Sequence, residues 1–229
     1  MKSIAIDGPS GSGKSTVAKA LAGRLGFIYV DTGALYRALG LFAMREGIGF
    51  CDSSALASAL RRVKIELAYI DGTQRIILSG EDVSEKIRTP EISMAASDVS
   101  ALPVVREFLF ELQQDMARRY NVVMDGRDIG TVVMPAADVK IFLTASLEVR
   151  ATRRYEEYLA KGQSVCYNDI LREMAQRDHN DITRDIAPLC QAPDAVLVDT
   201  SDNTPDQTAA EVFEIVASRL GIEPLNQEA

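Results

Sequence analysis

Near its start the chain reads Ile4-Ala5-Ile6-Asp7-Gly8-Pro9-Ser10-Gly11-Ser12-Gly13-Lys14-Ser15-Thr16. The apolar residues predict a buried strand, the glycines a tight loop, and the amphipathic residues up to Gly26 a helix. The spacing fits GxxxxGK[ST], in which backbone N–H groups enclose a phosphate and a lysine reaches its outer oxygens. The N-terminus of the helix adds a positive potential. The stretch therefore predicts a site for a nucleoside triphosphate.

This loop also offers candidate catalytic and metal-binding groups. Lys14 would act on the charge that develops between the β- and γ-phosphates. The hydroxyl of Ser15 is a candidate ligand of Mg²⁺, and Asp125, at the end of a later apolar run, is a second candidate that would act through water. We predict that the nucleotide contacts the whole loop: Gly8, Pro9, Ser10, Gly11, Ser12, Gly13, Lys14, Ser15 and Thr16.

The composition fits one α/β domain. The chain has 229 residues, 47% hydrophobic and 25% charged, enough for one sizeable core with a small insert. No apolar stretch approaches the ~18 residues of a membrane span, and Asp7 interrupts the apolar run near the N-terminus, so we expect a cytoplasmic protein. The formal charge of −8 argues against nucleic acid as a partner.

The three cysteines, Cys51, Cys166 and Cys190, are far apart and lack CxxC spacing. This pattern argues against both a disulfide framework and a zinc site. We expect reduced thiols with a structural role.

Five apolar runs alternate with helical patterns along the chain. They predict core strands over residues 4–6, 27–30, 121–124, 139–143 and 195–198. Such alternation is typical of a five-stranded, parallel, doubly wound sheet, whose ligands bind outside the carboxyl ends of the strands. Asp7, Asp31, Asp125 and Asp199 follow these runs, so we expect them at that edge.

Between the second and third core strands the pattern changes to a hairpin. Residues 65–69 and 75–78 surround a turn at Asp71-Gly72, and residues 81–84 suggest a third short strand. This predicts a small antiparallel insert that covers part of the domain. Candidate N-caps precede the predicted helices over residues 34–46, 53–62, 91–99, 147–162 and 205–219, namely Thr32, Asp52 or Ser53, Thr89, Ser146 and Thr204. Further helices are predicted over residues 103–119 and 167–178, and a frayed tail over 223–229.

A phosphate loop is shared by GTPases, ATPases and small-molecule kinases, so other residues must distinguish these functions. The chain contains neither NKxD, which reads guanine, nor DxxG, which senses the γ-phosphate in GTPases. Nothing in this short acidic chain suggests the partner surface of a motor or transport ATPase. These observations favour a kinase that acts on a small acceptor.

The residue types favour a phosphate as that acceptor. A water or alcohol nucleophile usually needs a positioned base, whereas a phosphate monoester is mostly ionised near neutral pH. The one histidine, His179, lies in a polar stretch and is interpreted as a surface residue. Two polyanions that approach each other need cations between them, and the candidates are Arg37, Arg127, Arg150, Arg153, Arg154 and Arg184.

Several stretches besides the loop resemble the bacterial cytidylate (CMP) kinases. They are DTGALYR (31–37), GEDVS (80–84), IRT (87–89), VRE (105–107), DGRDIGT (125–131) and APL (187–189). The resemblance spans almost the whole chain and implies one P-loop nucleoside monophosphate kinase domain, residues 1–229. Within it, residues 63–100 would form the monophosphate-binding insert and residues 149–166 a helical lid. The resemblance further implies MgATP as donor, CMP and dCMP as acceptors, and a cytoplasmic, monomeric enzyme of pyrimidine metabolism without an obligatory protein partner.

The same resemblance implies roles for individual residues. Ser97, Arg106 and Asp128 would face the cytosine, and the chemistry agrees, because a carboxylate can accept from the cytosine amino group. The remaining acceptor contacts would be Arg37, Arg127 and Arg184 at the phosphate, Arg177 and Asp181 at the pentose, and Thr32 and Tyr36 at the mouth of the sheet.

Plainer interpretations stay open for several of these residues. Arg106 is next to Glu107 in a predicted helix and would then be a surface charge. The lid arginines would then pair with Glu157 on one helix face. Asp128 would then be a cap or a partner of Arg127, and Asp125 would hold Lys14 or a backbone turn. The alternatives for the whole protein are a kinase for UMP, shikimate or another small acceptor, and a regulatory protein that binds ATP without turnover.

Overall fold

The computed structural model describes residues 1–50, 52–70 and 73–222. Its central sheet has five parallel strands, β1 (Ser3–Asp7), β2 (Ile28–Asp31), β6 (Val122–Gly126), β7 (Val139–Thr144) and β8 (Val196–Asp199). Their order across the sheet is β2-β6-β1-β7-β8. The predicted doubly wound fold and its five strands are therefore confirmed.

Helices cover both faces of this sheet, which is why its strands read as continuous apolar runs. The helices are α1 (Lys14–Leu25), α2 (Thr32–Arg45), α3 (Ser53–Leu60), α4 (Pro90–Ser100), α5 (Pro103–Arg119), α6 (Leu147–Ala160), α7 (Tyr167–Thr183) and α8 (Pro205–Leu220). Ile4 and Ile6 point to the face packed by α1 and α8, whereas Ala5 points to the opposite face beside Met124 and Ile129. This alternation of side chains about the central strand divides the core into two layers.

A second sheet of three antiparallel strands, β3 (Ile65–Ile70), β4 (Thr73–Leu78) and β5 (Glu81–Asp82), lies beside β2. The Tyr69 hydroxyl donates to the Tyr29 carbonyl at 3.1 Å, and the backbone N–H of Asp31 donates to the Gln74 side chain at 2.9 Å. The predicted hairpin is confirmed, although its third strand has only two residues and the turn at Asp71-Gly72 lies outside the described residues.

Two predictions of local structure are wrong. Asp31, and not Thr32, caps α2: its carboxylate accepts from the Ala34 N–H at 2.9 Å, while the Thr32 hydroxyl donates to the Asp125 carbonyl at 2.7 Å. Helix α7 continues to Thr183 instead of ending at residue 178. Tertiary ion pairs explain the extra turn, because Asp181 reaches Arg127 at 2.8 Å.

The other features concern the surface. Cys166 and Cys190 are unbridged and exposed, so a structural role is wrong for these two, while Cys51 and residues 223–229 lie outside the described residues. No helix within the described ranges is long and apolar enough to cross a membrane.

Candidate active site

A cavity of about 750 Å³ opens at the carboxyl ends of β1, β2 and β6. It is lined by the phosphate loop, by the start of α2, by α4, and by the residues that follow β6 and β8. A cavity of this size is typical of sites that enclose small molecules. Its position agrees with the rule that ligands bind outside the carboxyl ends of parallel strands.

The phosphate loop adopts the conformation that its glycines permit. A Cβ on Gly8 would lie 1.9 Å from the Leu143 carbonyl oxygen, so no other residue fits there. Gly13, at φ +89°, is the N-cap of α1 and leaves the first amides of the helix without a side-chain cap. The Ser12 hydroxyl and the Lys14 ammonium both donate to the Pro9 carbonyl, at 3.0 and 2.6 Å. The loop thus presents free amides to the cavity, as an anion site requires.

Lys14 is buried among other charges. Burial and then the charge of Arg127 lower its pKa well below the ordinary value, whereas Asp125 and Asp7 act in the opposite direction. A bound polyanion would favour the protonated ammonium.

Asp125 is held by hydroxyl groups on both carboxylate oxygens. Ser15 donates to one oxygen at 2.8 Å and Tyr29 to the other at 2.9 Å. Burial, followed by the charge of Asp31, raises the pKa of Asp125 to about 6. Lys14 donates to the loop carbonyl and not to this carboxylate, so the interpretation that Asp125 holds Lys14 by a hydrogen bond has no support.

This arrangement fits Mg²⁺. A carboxylate and a hydroxyl are hard oxygen donors, and Mg²⁺ typically binds one or two protein groups together with substrate phosphates and water. Over the described part of the chain no group of three or more His, Cys, Asp or Glu residues is placed to hold a metal ion. Ser15 and Asp125 offer one hydroxyl and one carboxylate beside the phosphate loop, a donor set that fits a metal shared with substrate phosphates.

Four arginines and two aspartates form a charged cluster that lines the cavity. Arg37 contacts Asp31 at 2.9 Å, while Asp181 contacts Arg127 at 2.8 Å and Arg184 at 3.9 Å. Burial, followed by the charge of Arg127, lowers the pKa of Arg177 to about 10. Although burial acts in the opposite direction, Arg127 and Arg177 lower the pKa of Asp181.

The cations in this cluster outnumber their carboxylate partners. Within the described residues, the Nε atoms of Arg37 and Arg177 are buried without a hydrogen-bond partner. Buried donors of this kind are costly unless they are satisfied. A dianionic group bound among them would provide both the missing acceptors and the missing charge.

Asp128 lines the cavity between two arginines. Its carboxylate accepts a hydrogen bond from Arg106 and one from Arg184 at 3.3 Å. Burial raises its pKa, and both arginines oppose that effect. Arg106 is 8% exposed, donates to the Ser100 carbonyl at 3.2 Å, and lies 5.8 Å from the Tyr36 ring, so it is not a surface charge. Ser97 lines the same cavity from α4.

The lid arginines have three different environments. Arg150 is buried, donates to the Ser10 carbonyl at 3.0 Å and pairs with Asp178 at 2.6 Å, so it braces the phosphate loop from behind. Arg153 donates to the Thr200 hydroxyl at 3.0 Å and lines the cavity. Arg154 also lines the cavity. Glu157 pairs with Arg154, at 3.2 Å, and not with Arg153.

Sequence reasoning missed three contributors to this site. Tyr29 lies within an apolar strand, and nothing in its neighbours indicates that its hydroxyl reaches Asp125. Asp178 is one of several carboxylates in a polar stretch. Asp7 was expected at the edge of the sheet, but its partners, the backbone N–H groups of Ile129 and Gly130, lie more than a hundred residues away.

Comparison with known proteins gives one consistent family. A family model described as cytidylate kinase matches residues 4–218. A cytidylate kinase from Caldicellulosiruptor saccharolyticus is 48% identical over 220 residues, which cover 96% of this chain and 97% of the relative. Another, from Caldanaerobacter subterraneus subsp. tengcongensis, is 52% identical over 213 residues and 93% of each chain. Among solved structures, an uncharacterized protein from Eubacterium ventriosum matches with a TM-score of 0.51 and 13% identity over 95% of this chain and 99% of that one, which shows the fold alone.

Proposed function

The chain belongs to the cytidylate kinase family, and we propose that it transfers the γ-phosphate of ATP to CMP or dCMP, giving ADP and CDP or dCDP. The observation that carries the proposal is the shared cavity. The phosphate loop, the arginine cluster and Asp128 all line this one cavity. A donor and an acceptor nucleotide would therefore meet with their phosphates among the arginines.

In this reaction an acceptor phosphate oxygen forms a bond to the γ-phosphorus while the bond from that phosphorus to the β-bridging oxygen breaks. The acceptor phosphate is already ionised near neutral pH, so no general base is required. We assign Arg37, Arg127 and Arg184 to the acceptor phosphate, and their charge offsets the repulsion between the two polyanions. Arg177 and Asp181 would contact the pentose, and Thr32 and Tyr36 would complete the wall of the acceptor site.

On the donor side, the amides of the phosphate loop would hold the β-phosphate and Lys14 would stabilise charge between the β- and γ-phosphates. Ser15 and Asp125 would hold Mg²⁺, which when bound neutralises charge on the donor phosphates. Arg153 and Arg154 would contact the donor from the lid, and Arg150 would act by holding the loop.

At the acceptor base, Asp128 would accept from the cytosine amino group, while Arg106 and Ser97 would donate to the ring acceptors. Uracil carries an acceptor in place of that amino group, and an ionised carboxylate would repel it. The proposed specificity therefore depends on both attraction and rejection.

The proposal includes two moving parts, the insert at residues 63–100 and the lid at residues 149–166. Both border the cavity, and their closure would exclude water that otherwise hydrolyses ATP. Hydrogen exchange should slow in both segments when ATP and CMP are bound together. If neither segment changes its protection with both ligands present, the insert and lid assignments are wrong.

An ADP-release assay with ATP, Mg²⁺ and a panel of acceptors tests the function. We expect fast release with CMP and dCMP, and slow release with UMP, AMP, GMP and shikimate. A faster rate with another acceptor would replace the proposed substrate, and ATP binding without release would indicate a regulatory protein. The proposal places the enzyme in the cytoplasm as a monomer, where it would act in pyrimidine nucleotide metabolism.

A further inference from the structure

Asp7 is a buried carboxylate for which the proposed reaction has no role. It is 4% exposed, and within residues 1–50, 52–70 and 73–222 it forms no ion pair with Lys, Arg or His. Its two oxygens accept the backbone N–H groups of Ile129 at 2.8 Å and Gly130 at 2.7 Å. Burial raises its pKa to about 6 despite these two bonds. An ionised group in this position is costly, so its presence calls for an explanation.

The two amides begin a π-helical turn, Ile129–Val133, whose N-cap is Asp128. An aspartate at an N-cap normally turns its own side chain back onto the first free amides. Asp128 makes no such bond. Its carboxylate instead faces Arg106 and Arg184, while Asp7 satisfies the amides from the neighbouring strand.

We propose that Asp7 is a positioning residue for acceptor specificity: by capping the turn in place of Asp128, it frees the Asp128 carboxylate to face the acceptor base. The proposal rests on the proposed function, since it assigns Asp7 to the same base site. Without Asp7, the free amides at the start of the turn compete with the two arginines for the Asp128 carboxylate. Asp128 would then turn away from the cavity in part of the population.

The surroundings of Asp7 support this role. Strands β1 and β6 are paired neighbours, and Asp7 lies opposite Gly126 in their register. Strand β1 therefore leads into the phosphate loop at the same edge of the sheet where β6 leads towards Asp128. A Cβ on Gly130 would lie 3.3 Å from the Asp7 carboxylate, which leaves that amide close against its acceptor. A carboxylate is suited to two successive amides because each of its oxygens accepts one, whereas asparagine offers a single acceptor.

The test is Asp7→Asn, alone and combined with Asp128→Asn, with kcat/KM measured for CMP and UMP at saturating MgATP. The single variant should lower the CMP-to-UMP ratio about tenfold or more, which is within the range that one polar pair to a base contributes. Affinity for ATP without acceptor should stay within about threefold, because the Asp7 carboxylate accepts from Ile129 and Gly130 and its charge is the weakest of the influences named for the Lys14 pKa. The double variant should differ from Asp128→Asn alone by less than about twofold in the CMP-to-UMP ratio, because the effects of two coupled residues are not additive.

Asp138→Asn is the matched control. Asp138 also accepts a backbone N–H, that of Ser3 at 2.9 Å, but at the opposite end of β1, so its exchange should leave the ratio unchanged. Asp7→Ser, which keeps one acceptor, is a second variant should Asp7→Asn fold poorly. An unchanged ratio in a folded Asp7 variant, an additive effect in the double variant, or loss of folding in both Asp7 variants would overturn the proposal. If the wild-type chain itself does not phosphorylate CMP, the proposed function fails instead.

Discussion

Asp128→Asn removes one negative charge from between two buried guanidinium groups and leaves the shape of the side chain unchanged. Asp128 is 4% exposed, and the Arg106 and Arg184 side chains beside it are 9% and 7% exposed. Because these side chains are buried, water can replace little of a lost interaction. The discrimination between cytosine and uracil that depends on Asp128 should therefore lie in the upper part of the usual range. That range is about 1 to 3 kcal/mol for a good polar pair, which corresponds to roughly five- to 150-fold in the CMP-to-UMP ratio.

The loss should fall chiefly on CMP, since uracil gains from removal of the repulsive charge. The assay is kcat/KM for both acceptors at saturating MgATP, with circular dichroism as a check on folding. Removal of one partner from a buried pair costs about 3 to 5 kcal/mol of stability, so the assay temperature should lie well below the melting temperature of the variant. A folded variant with an unchanged ratio would refute the assignment of Asp128 to the base.

Three further predictions concern the donor site and the buried carboxylates. Lys14→Ala should lower kcat far more than about tenfold, the equivalent of ~1.4 kcal/mol, with the fold intact; activity within tenfold of wild type would contradict its role. Tyr29→Phe removes one of the two hydroxyl groups that hold Asp125. We expect a severalfold rise in the Mg²⁺ concentration that gives half-maximal rate, and in the dissociation constant of Mn²⁺ measured by electron paramagnetic resonance. The control variant Tyr69→Phe should change neither quantity. Folding raises the pKa of Asp7 from 3.8 to about 6, so the folded state binds more protons than the unfolded state between these values and stability falls as the pH rises through them. Relative to Asp7→Asn, wild type should therefore lose about 2 kcal/mol of unfolding free energy between pH 4 and pH 7; parallel stability curves would contradict the raised pKa.

Much of the fold was predictable because local signals agree with tertiary structure. The apolar runs become the five central strands, and Thr89-Pro90 and Ser146 begin helices as their residue types suggest. Where two adjacent residues were both suitable caps, the local signal was insufficient. Asp31 became the cap because the Thr32 hydroxyl has a partner on β6, which only the folded sheet brings near.

The site was predictable in its residue types but not in its partnerships. The glycines of the phosphate loop determine its conformation, so its role can be predicted from the sequence. The positions of Arg150 behind the loop, Tyr29 on Asp125 and Asp7 on the π-helical turn depend on contacts between strands and helices far apart in the chain. The turn itself leaves no clear signal in residues 129–133, because it is stabilised from outside by Asp7.

Transfer of label from [γ-³²P]ATP to an identified product tests the central claim most directly. With Mg²⁺ and CMP present, the account predicts that the label appears in CDP in step with ADP formation, and that little appears in inorganic phosphate. UMP in place of CMP should give much slower transfer, and omission of the acceptor should leave the label in ATP. Label that accumulates in inorganic phosphate, or that remains in ATP while CMP is unchanged, would contradict the account.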